Sequence, residues 1–207
     1  PKERFTSILR EFIYPELEPL GFKFSKSKPA ITRQVGDIKQ EIGFYGSKWN
    51  QGNVVCIYRP YFHVRSKSYG KWLKNEFQIG STYEFLYSSL GQVRKIEGWD
   101  EGKYGHHSYS DYDFAKYDNE ELIQIIKKNI IHAGIPLMEK MSDYNNIIKD
   151  CMDNGLKGSA PRLLDFCYLL GNKEKAHEIL KWSSDINFVN HVVENSNLRK
   201  IKFKNWL

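Results

Sequence analysis

Apolar residues follow two kinds of spacing along the chain, and the change from one to the other divides it. Phe5, Ile8, Leu9, Phe12 and Ile13 recur at i, i+3, i+4, i+7 and i+8, so a helix would carry them all on one stripe. Pro15 removes a backbone donor and is expected to push Tyr14 away from helical angles. The helix is therefore expected to kink or restart there, with Leu17 and Leu20 continuing the buried side and Gly21 closing it. From Phe22 the spacing shortens to β-like runs at 21–25, 30–35, 38–45 and 54–64, separated by Lys28-Pro29, Gly36-Asp37 and the polar stretch 50–53, which predicts an antiparallel meander. In 38–45, Ile38, Ile42 and Phe44 share one parity while Lys39, Glu41 and Tyr45 take the other, and Gln40 is the polar exception on the apolar side. One face is expected in the core and the other in water. The stretch 78–98 mixes both parities and is assigned to strand.

Helical spacing returns after the polar, aromatic loop 99–117. Asp118 and Glu121 form a capping box ahead of Leu122, Ile123, Ile126 and Ile130, in a helix that is expected to end near Gly134, with Ile135-Pro136 opening another short turn. Tyr144, Ile147, Ile148, Cys151 and Met152 repeat the first spacing until Asn154-Gly155 stops it, and 159–170, 172–182 and 185–194 read as three further short helices. Leu163 to Leu170, Gly171 and Ala176 to Leu180 look like one helical hairpin of the tetratricopeptide kind, and one copy makes no solenoid. The pattern predicts an α+β protein: an N-terminal helix, an antiparallel sheet and a C-terminal helical region. Its expected domains are 1–155 and a helical extension, 156–207, packed on it.

Composition narrows the class. The 207 residues are 41% hydrophobic and 27% charged, which fits a folded chain and not a disordered or collagenous one. No apolar run approaches the roughly 18 residues that span a bilayer, so no membrane association is expected. Charges interrupt 1–20 throughout, and no export signal is expected there. Cys56, Cys151 and Cys167 are an odd set without short spacing, which reads as buried free thiols suited to a reducing cytoplasm.

The net charge of +6 conceals a pattern. Residues 1–96 carry +8, 97–121 carry −6 and 122–207 carry +4, so an acidic block interrupts a basic chain.

The run Leu17-Glu18-Pro19-Leu20-Gly21-Phe22-Lys23, followed by Arg33, Gly36-Asp37, Gln40, Ile42 and Phe44, resembles the bacterial family called domain of unknown function 4304. Ile135-Pro136-Leu137-Met138-Glu139-Lys140 is similar to that family's late Pro-containing turn, and the resemblance covers roughly 3–155. Tyr45 stands where the family's pattern leads one to expect Gln, and the helices after Leu156 exceed it. The resemblance implies an α+β fold without assigned catalytic residues, and an architecture like that of small cytoplasmic proteins that guard against toxins.

Two segments are candidate surfaces. The first, 99–121, combines Trp99, Tyr104, Tyr109, Tyr112, Phe114 and Tyr117 with acids that include Asp100, Glu101, Asp111 and Asp113. Aromatic rings give contact area with few rotors to freeze, and acids steer a basic protein partner such as a toxin domain; the bland reading is a plain loop. The second, 58–74, holds Arg59, Arg65, Lys67, Lys71 and Lys74 without an acid, interleaved with Tyr58, Tyr61, Phe62, Tyr69 and Trp72. Rings that stack on bases between cations that follow phosphates suit single-stranded nucleic acid. The bland reading is an edge strand whose cations discourage further pairing.

No catalytic constellation is recognised, and no cofactor or metal is expected. His106-His107 with Asp111 and Asp113 lacks the spacing of a metal site and reads as a solvated loop. Asp37, Lys39 and Glu41 are weighed as a magnesium-dependent nuclease strand, but Gly36-Asp37 is a turn signal and Lys39 and Glu41 are expected to face solvent. The leading expectation is a non-catalytic cytoplasmic protein that binds another protein, in the manner of an immunity protein. The alternative is a nucleic-acid-binding accessory protein.

Overall fold

The computed structural model describes residues 2–25, 28–52, 54–80, 84–89, 93, 96–100, 112–115, 119–183 and 196–207. The fold is α+β. Two compact units build it, each from two pieces of chain: Pro1–Ser66 with Phe85–Lys140, and Lys67–Glu84 with Met141–Leu207. The boundary expected at 155 falls inside the second of these, which also takes in a piece from the middle of the chain.

In the first unit the N-terminal stripe runs through α1 (Lys2–Ile8), a π turn (Leu9–Ile13) and α2 (Tyr14–Leu17). Phe5, Ile8, Leu9, Ile13 and Leu17 are buried as the spacing requires, whereas Phe12 is 49% exposed and Leu20 also faces outward. The π turn explains Phe12: its wider ring, closed by the Tyr14 N–H on the Leu9 carbonyl, holds an extra residue and rotates Phe12 off the stripe. Leu20 leaves because the chain tightens into a 3-10 turn, Glu18–Leu20, before Gly21. The same device recurs later. After α4 (Asn119–Asn129) comes a second π turn (Ile130–Gly134), closed by the Ile135 N–H on the Ile130 carbonyl, and then α5 (Ile135–Lys140). Each π turn ends two residues before a proline, Pro15 or Pro136, and its wider bore makes room for the missing N–H and the ring. The helix therefore continues past Gly134 instead of ending there. Gly134 has another purpose: a Cβ would lie 2.3 Å from the Phe62 ring, so the bare backbone lets this helix settle on the sheet.

The sheet is the predicted antiparallel meander. Strands β1 (Lys23–Phe24), β2 (Ala30–Val35), β3 (Ile38–Gly46), β4 (Ile57–Ser66) and β5 (Glu84–Ser88) lie in chain order, and β6 (Tyr112–Asp113) also pairs with β4. The strand β4 is thus interior and not the edge that its cations suggested. Register places Ile31, Ile42 and Phe62 in one row and Gln40 opposite Val64, and this face is covered by the helices. Phe5 anchors it, stacked on Tyr58 at 3.7 Å and edge-on to Phe44 at 5.1 Å and Phe114 at 5.0 Å. Gln40 is tolerated on the apolar side because Arg33 donates to its Oε1 from Nε and Nη2 at 2.9 and 2.7 Å. The Arg33 guanidinium also lies over Phe22 at 4.6 Å and reaches Glu139 of α5 at 3.0 Å.

The second unit is helical. Residues Lys67–Phe77 form α3, where the sequence suggested a continuing basic segment; Tyr69, Leu73 and Phe77, at i, i+4 and i+8, are its buried stripe. The helices α6 (Tyr144–Asp153), α7 (Ala160–Leu169) and α8 (Lys173–Trp182) follow as expected, with Asp143 and Asn172 capping α6 and α8 through N–H bonds from Asn146 at 3.0 Å and Lys175 at 2.9 Å. A last helix, α9 (Ser196–Trp206), was not anticipated. Asp118 of the expected capping box and the helix expected at 185–194 lie outside the described residues. Tyr144 stacks on Phe166 at 4.7 Å, and Tyr69 meets the same ring edge-on at 5.1 Å. The Tyr69 hydroxyl donates at 2.7 Å to Asp165, which forms a buried ion pair with Arg199, whose guanidinium donates to both carboxylate oxygens, at 3.1 and 2.8 Å.

Cys56, Cys151 and Cys167 are buried free thiols. Among the described residues no helix is long and apolar enough to cross a membrane.

Candidate interaction surface

The face of β3 and β4 turned away from the helices was expected to be wet. It is not: Glu41 is only 2% exposed, and Tyr61 and His63 are buried beside it. Register sets Glu41 against His63 and Gly43 against Tyr61. A Cβ on Gly43 would lie 2.1 Å from Cζ of Tyr61, so the Tyr61 ring crosses bare backbone and its hydroxyl reaches Glu41 Oε1 at 2.9 Å. Lys28 donates to the same oxygen at 2.7 Å, and His63 Nδ1 lies 3.9 Å from it. Burial pushes the Glu41 carboxyl up, but the Lys28 and Tyr61 hydrogen bonds outweigh it and hold the group below its usual range. Burial followed by the Glu41 charge pushes the Tyr61 phenol well up. His63 is pushed down to about 4, by burial first and then by Arg65 and Lys28, with Glu41 opposing. Its ring is held by contacts with Tyr61 at 4.4 Å and Phe85 at 4.7 Å, and neither ring nitrogen has a hydrogen-bond partner. Chemically this is a neutralised carboxylate next to a neutral imidazole.

The cluster forms the floor of the β3–β4 hairpin. Tyr45 lies on Tyr61 with ring centroids 4.4 Å apart and remains partly exposed. Beyond it the chain turns by local bonds. The Asn50 N–H donates to the Ser47 carbonyl at 3.2 Å, and Ser47 Oγ accepts from the Trp49 N–H at 3.2 Å. The Asn50 side chain takes the place of a strand partner for Ile57, donating to its carbonyl at 2.9 Å and accepting its N–H at 2.7 Å. Backbone and Asn50 therefore shape the tip; Trp49 and Val54 take part through their N–H groups, on Ser47 Oγ at 3.2 Å and the Gln51 carbonyl at 3.0 Å, while both residues are 72% exposed. Lys48 Nζ lies 4.9 Å from the Trp49 ring centroid. No Asp or Glu occurs between Glu41 and Glu76, so the tip is apolar and basic together.

The residues singled out from sequence are distributed differently. In the acidic segment, Trp99 is half-buried, edge-on to Phe62 at 5.8 Å. Asp100 is exposed; its N–H donates to Asn129 Oδ1 at 2.9 Å, its carbonyl accepts from Asn129 Nδ2, and its carboxylate lies 3.8 Å from Lys128. Tyr112 and Asp113 are buried in β6, where Asp113 Oδ1 accepts the Cys56 and Ala115 N–H groups at 3.0 Å, and so they offer no surface to a partner. Glu101, Tyr104, Tyr109 and Asp111, with His106 and His107, lie outside the described residues.

The basic segment is divided between strand and helix. Arg59, opposite Tyr45, is half-buried, Tyr61 is buried, and Arg65 lies over Phe85 at 4.0 Å, all on β4 in the first unit. Lys67 and Lys71 are exposed on α3 in the second, where Trp72 packs against Tyr69 at 6.0 Å, Phe77 at 5.2 Å and Tyr168 at 5.8 Å. Asp37 accepts a hydrogen bond from Ser66 Oγ at 2.6 Å, and among the described residues no three His, Cys, Asp or Glu side chains gather as a metal site.

Lys48 and Trp49 were passed over because they flank 50–53, which was read as a separator, and Val54 was read as the start of the strand 54–64, which begins instead at Ile57. The available signal was Trp49 itself, an indole in the polar run Ser47-Lys48-Trp49-Asn50-Gln51-Gly52 with no aliphatic or aromatic residue within three positions on either side. No protein-family model, curated protein or solved structure matches the chain.

Proposed function

We propose that this chain is a non-catalytic protein of the bacterial cytoplasm that binds another protein through its β3–β4 hairpin and acts by covering that protein's working surface, as an immunity protein does. The observation that carries this reading is the exposure of the Trp49 indole on a loop that is shaped by backbone bonds and the Asn50 side chain. Indoles are frequent anchors of protein interfaces, and one presented by a pre-shaped loop loses little freedom on binding. The resemblance to the domain of unknown function 4304 supports the immunity role. The nucleic-acid alternative has less to draw on, since Tyr61 is buried and Trp72 is packed among other rings.

Co-expression with the product of the adjacent gene tests the proposal. The chain is expected to restore growth to cells harmed by that product and to co-purify with it, and Trp49→Ala is expected to lose both while remaining folded. Failure of the parent chain to associate, or full protection by Trp49→Ala, overturns the reading.

A further inference from the structure

The last helix of the second unit is held by one face. In α9, Arg199, Lys202, Phe203 and Trp206 stand at i, i+3, i+4 and i+7, the spacing with which a helix laid into a groove presents its anchors. All four meet a groove built by α3 and α7. Arg199 sits on Asp165 with its guanidinium 5.2 Å from the centre of the Phe77 ring, and Lys202 Nζ reaches Glu76 Oε2 at 2.5 Å. Lys202 also lies over Tyr168 at 4.6 Å, and the Trp206 and Phe203 rings meet the same tyrosine edge-on at 5.1 and 6.0 Å. We infer that the α3–α7 groove is a receptor for a basic, aromatic helix of a partner protein, and that α9 fills it as an exchangeable stand-in whose anchors state the partner's pattern, Arg-x-x-Lys-Phe-x-x-Trp.

Two observations make α9 exchangeable. Among its described side chains only Arg199 and Phe203 are buried, and Ile201 is 59% exposed, so the helix adds little apolar area to the unit. Its deepest contact is an ion pair, which costs about as much in desolvation as it returns in attraction. Removing one partner strands the other while the remaining anchors keep the helix seated, whereas lifting the whole helix hydrates both together. The surface then uncovered is specific. Asp165, with the Tyr69 hydroxyl already on one oxygen, lies at its base beside the Phe77 ring, which suits a planar guanidinium. Glu76, Trp72 and Tyr168 surround the place of the Lys202 ammonium. A nucleic acid would bring phosphates against Asp165 and Glu76, which is repulsive.

The test uses the full chain and its Arg199→Ala, Phe203→Ala double variant, in which the attached helix has lost both buried anchors. Three labelled peptides are titrated against each: residues 196–207, an alanine-based helix that keeps only the four anchors, and that same helix with Arg199→Ala. The double variant is expected to bind the first two at least about tenfold more tightly than the parent does, because the parent's tethered helix competes at a high effective concentration. Loss of the arginine should weaken the anchor-only helix by about tenfold or more, the size expected for a central anchor. In the parent, amide hydrogen exchange should show α9 opening ahead of α3 and α7.

A folded double variant that ignores both anchored peptides overturns the inference. So does binding of residues 196–207 without the anchor-only helix, which would make α9's own sequence the ligand, or self-association of the parent that the peptide reverses, which would make a second copy the occupant. Should the double variant fail to fold, exchange in the parent decides: α9 opening ahead of α3 and α7 upholds its exchange, and α9 opening only together with them makes it a fixed part of the unit and overturns the inference.

Discussion

Each unit buries one carboxylate under a tyrosine hydroxyl and a cation, and the two clusters are built to different standards. In the helical unit Asp165 is held by the Arg199 guanidinium through both oxygens and by Tyr69, and Arg199 itself is only 9% exposed. In the sheet unit Glu41 receives Lys28 and Tyr61 on a single oxygen, and the Lys28 side chain is 46% exposed. Arginine suits the closed site, since its planar fork matches a carboxylate and is weakly hydrated; lysine suits the open one, where its ammonium keeps much of its water. A closed pair cannot relax when one partner is removed, because the charge left behind has no route to solvent. An open pair can. The helical cluster is accordingly a lock, while the sheet cluster is a floor that supports a surface loop.

The largest effect should come from breaking the lock. Asp165→Ala leaves Arg199 buried without its carboxylate and Tyr69 without its acceptor, and should cost about 3–5 kcal/mol. Glu41→Ala frees Lys28 to turn into water and strands chiefly the Tyr61 hydroxyl, for about 1–3 kcal/mol. Urea denaturation of both variants measures the difference. Equal losses would mean that the exposure of Lys28 gives no relief and that the clusters are equivalent.

Little of this contrast could be read in the sequence, although most of the sheet could. Gly36-Asp37 and the alternation through Ile38, Ile42 and Phe44 locate β2, β3 and their register because strand parity is a local property. Parity assigns Glu41 to a face but says nothing about whether that face is covered, and so a carboxylate 2% exposed was taken for a solvated one. The basic run misled for a related reason: Tyr69, Leu73 and Phe77 carry the spacing of a helix, but the strand pattern before them and the cations between them suggested one continuous surface. The π turns are hidden because a pattern of i, i+3, i+4 assumes an unwidened helix, although each is announced by a proline two residues on. Among the candidate surfaces, the acidic segment drew notice for its charge, whereas the exposed indole stood in a loop judged only by its turn residues.

Acid should act on the two clusters with opposite sign. The pKa of His63 is depressed in the fold to about 4, so its contribution is complete above its ordinary value of 6.5 and is lost as pH falls toward 4. That shift corresponds to about 3 kcal/mol. Glu41, also depressed, adds to the loss below its ordinary 4.5. Burial pushes Asp165 the other way, to about 6, against the pull of Arg199 and Tyr69. Its charge is therefore a cost near neutrality, and protonation between pH 6 and its ordinary 3.8 relieves that cost. Amide hydrogen exchange between pH 7 and 4 should show protection falling in β3 and β4 more than in α7. His63→Phe, which keeps a ring between Tyr61 and Phe85 but cannot titrate, should flatten the decline in the strands. An unchanged decline would remove His63 from the account and leave Glu41 alone to explain acid sensitivity.

The smallest effect on stability is expected where the largest effect on binding is proposed. Trp49 is 72% exposed; its backbone N–H donates to Ser47 Oγ, and the neighbouring Lys48 ammonium lies over its ring. Alanine retains the backbone bond and gives up only the exposed cation–π contact, so Trp49→Ala should shift the unfolding free energy by less than about 0.5 kcal/mol. Asn50→Ala is the matching control. It deletes both side-chain bonds to Ile57 while leaving the indole in place, and should cost about 1–2 kcal/mol. Denaturation of the two variants, set beside their binding, separates shape from contact. A loop built to present its indole predicts that Trp49→Ala loses binding at full stability, while Asn50→Ala loses stability and weakens binding only as far as the loop loses its shape. If Trp49→Ala instead destabilises the chain as much as Asn50→Ala does, the indole is a structural part of the hairpin and the surface must be sought elsewhere.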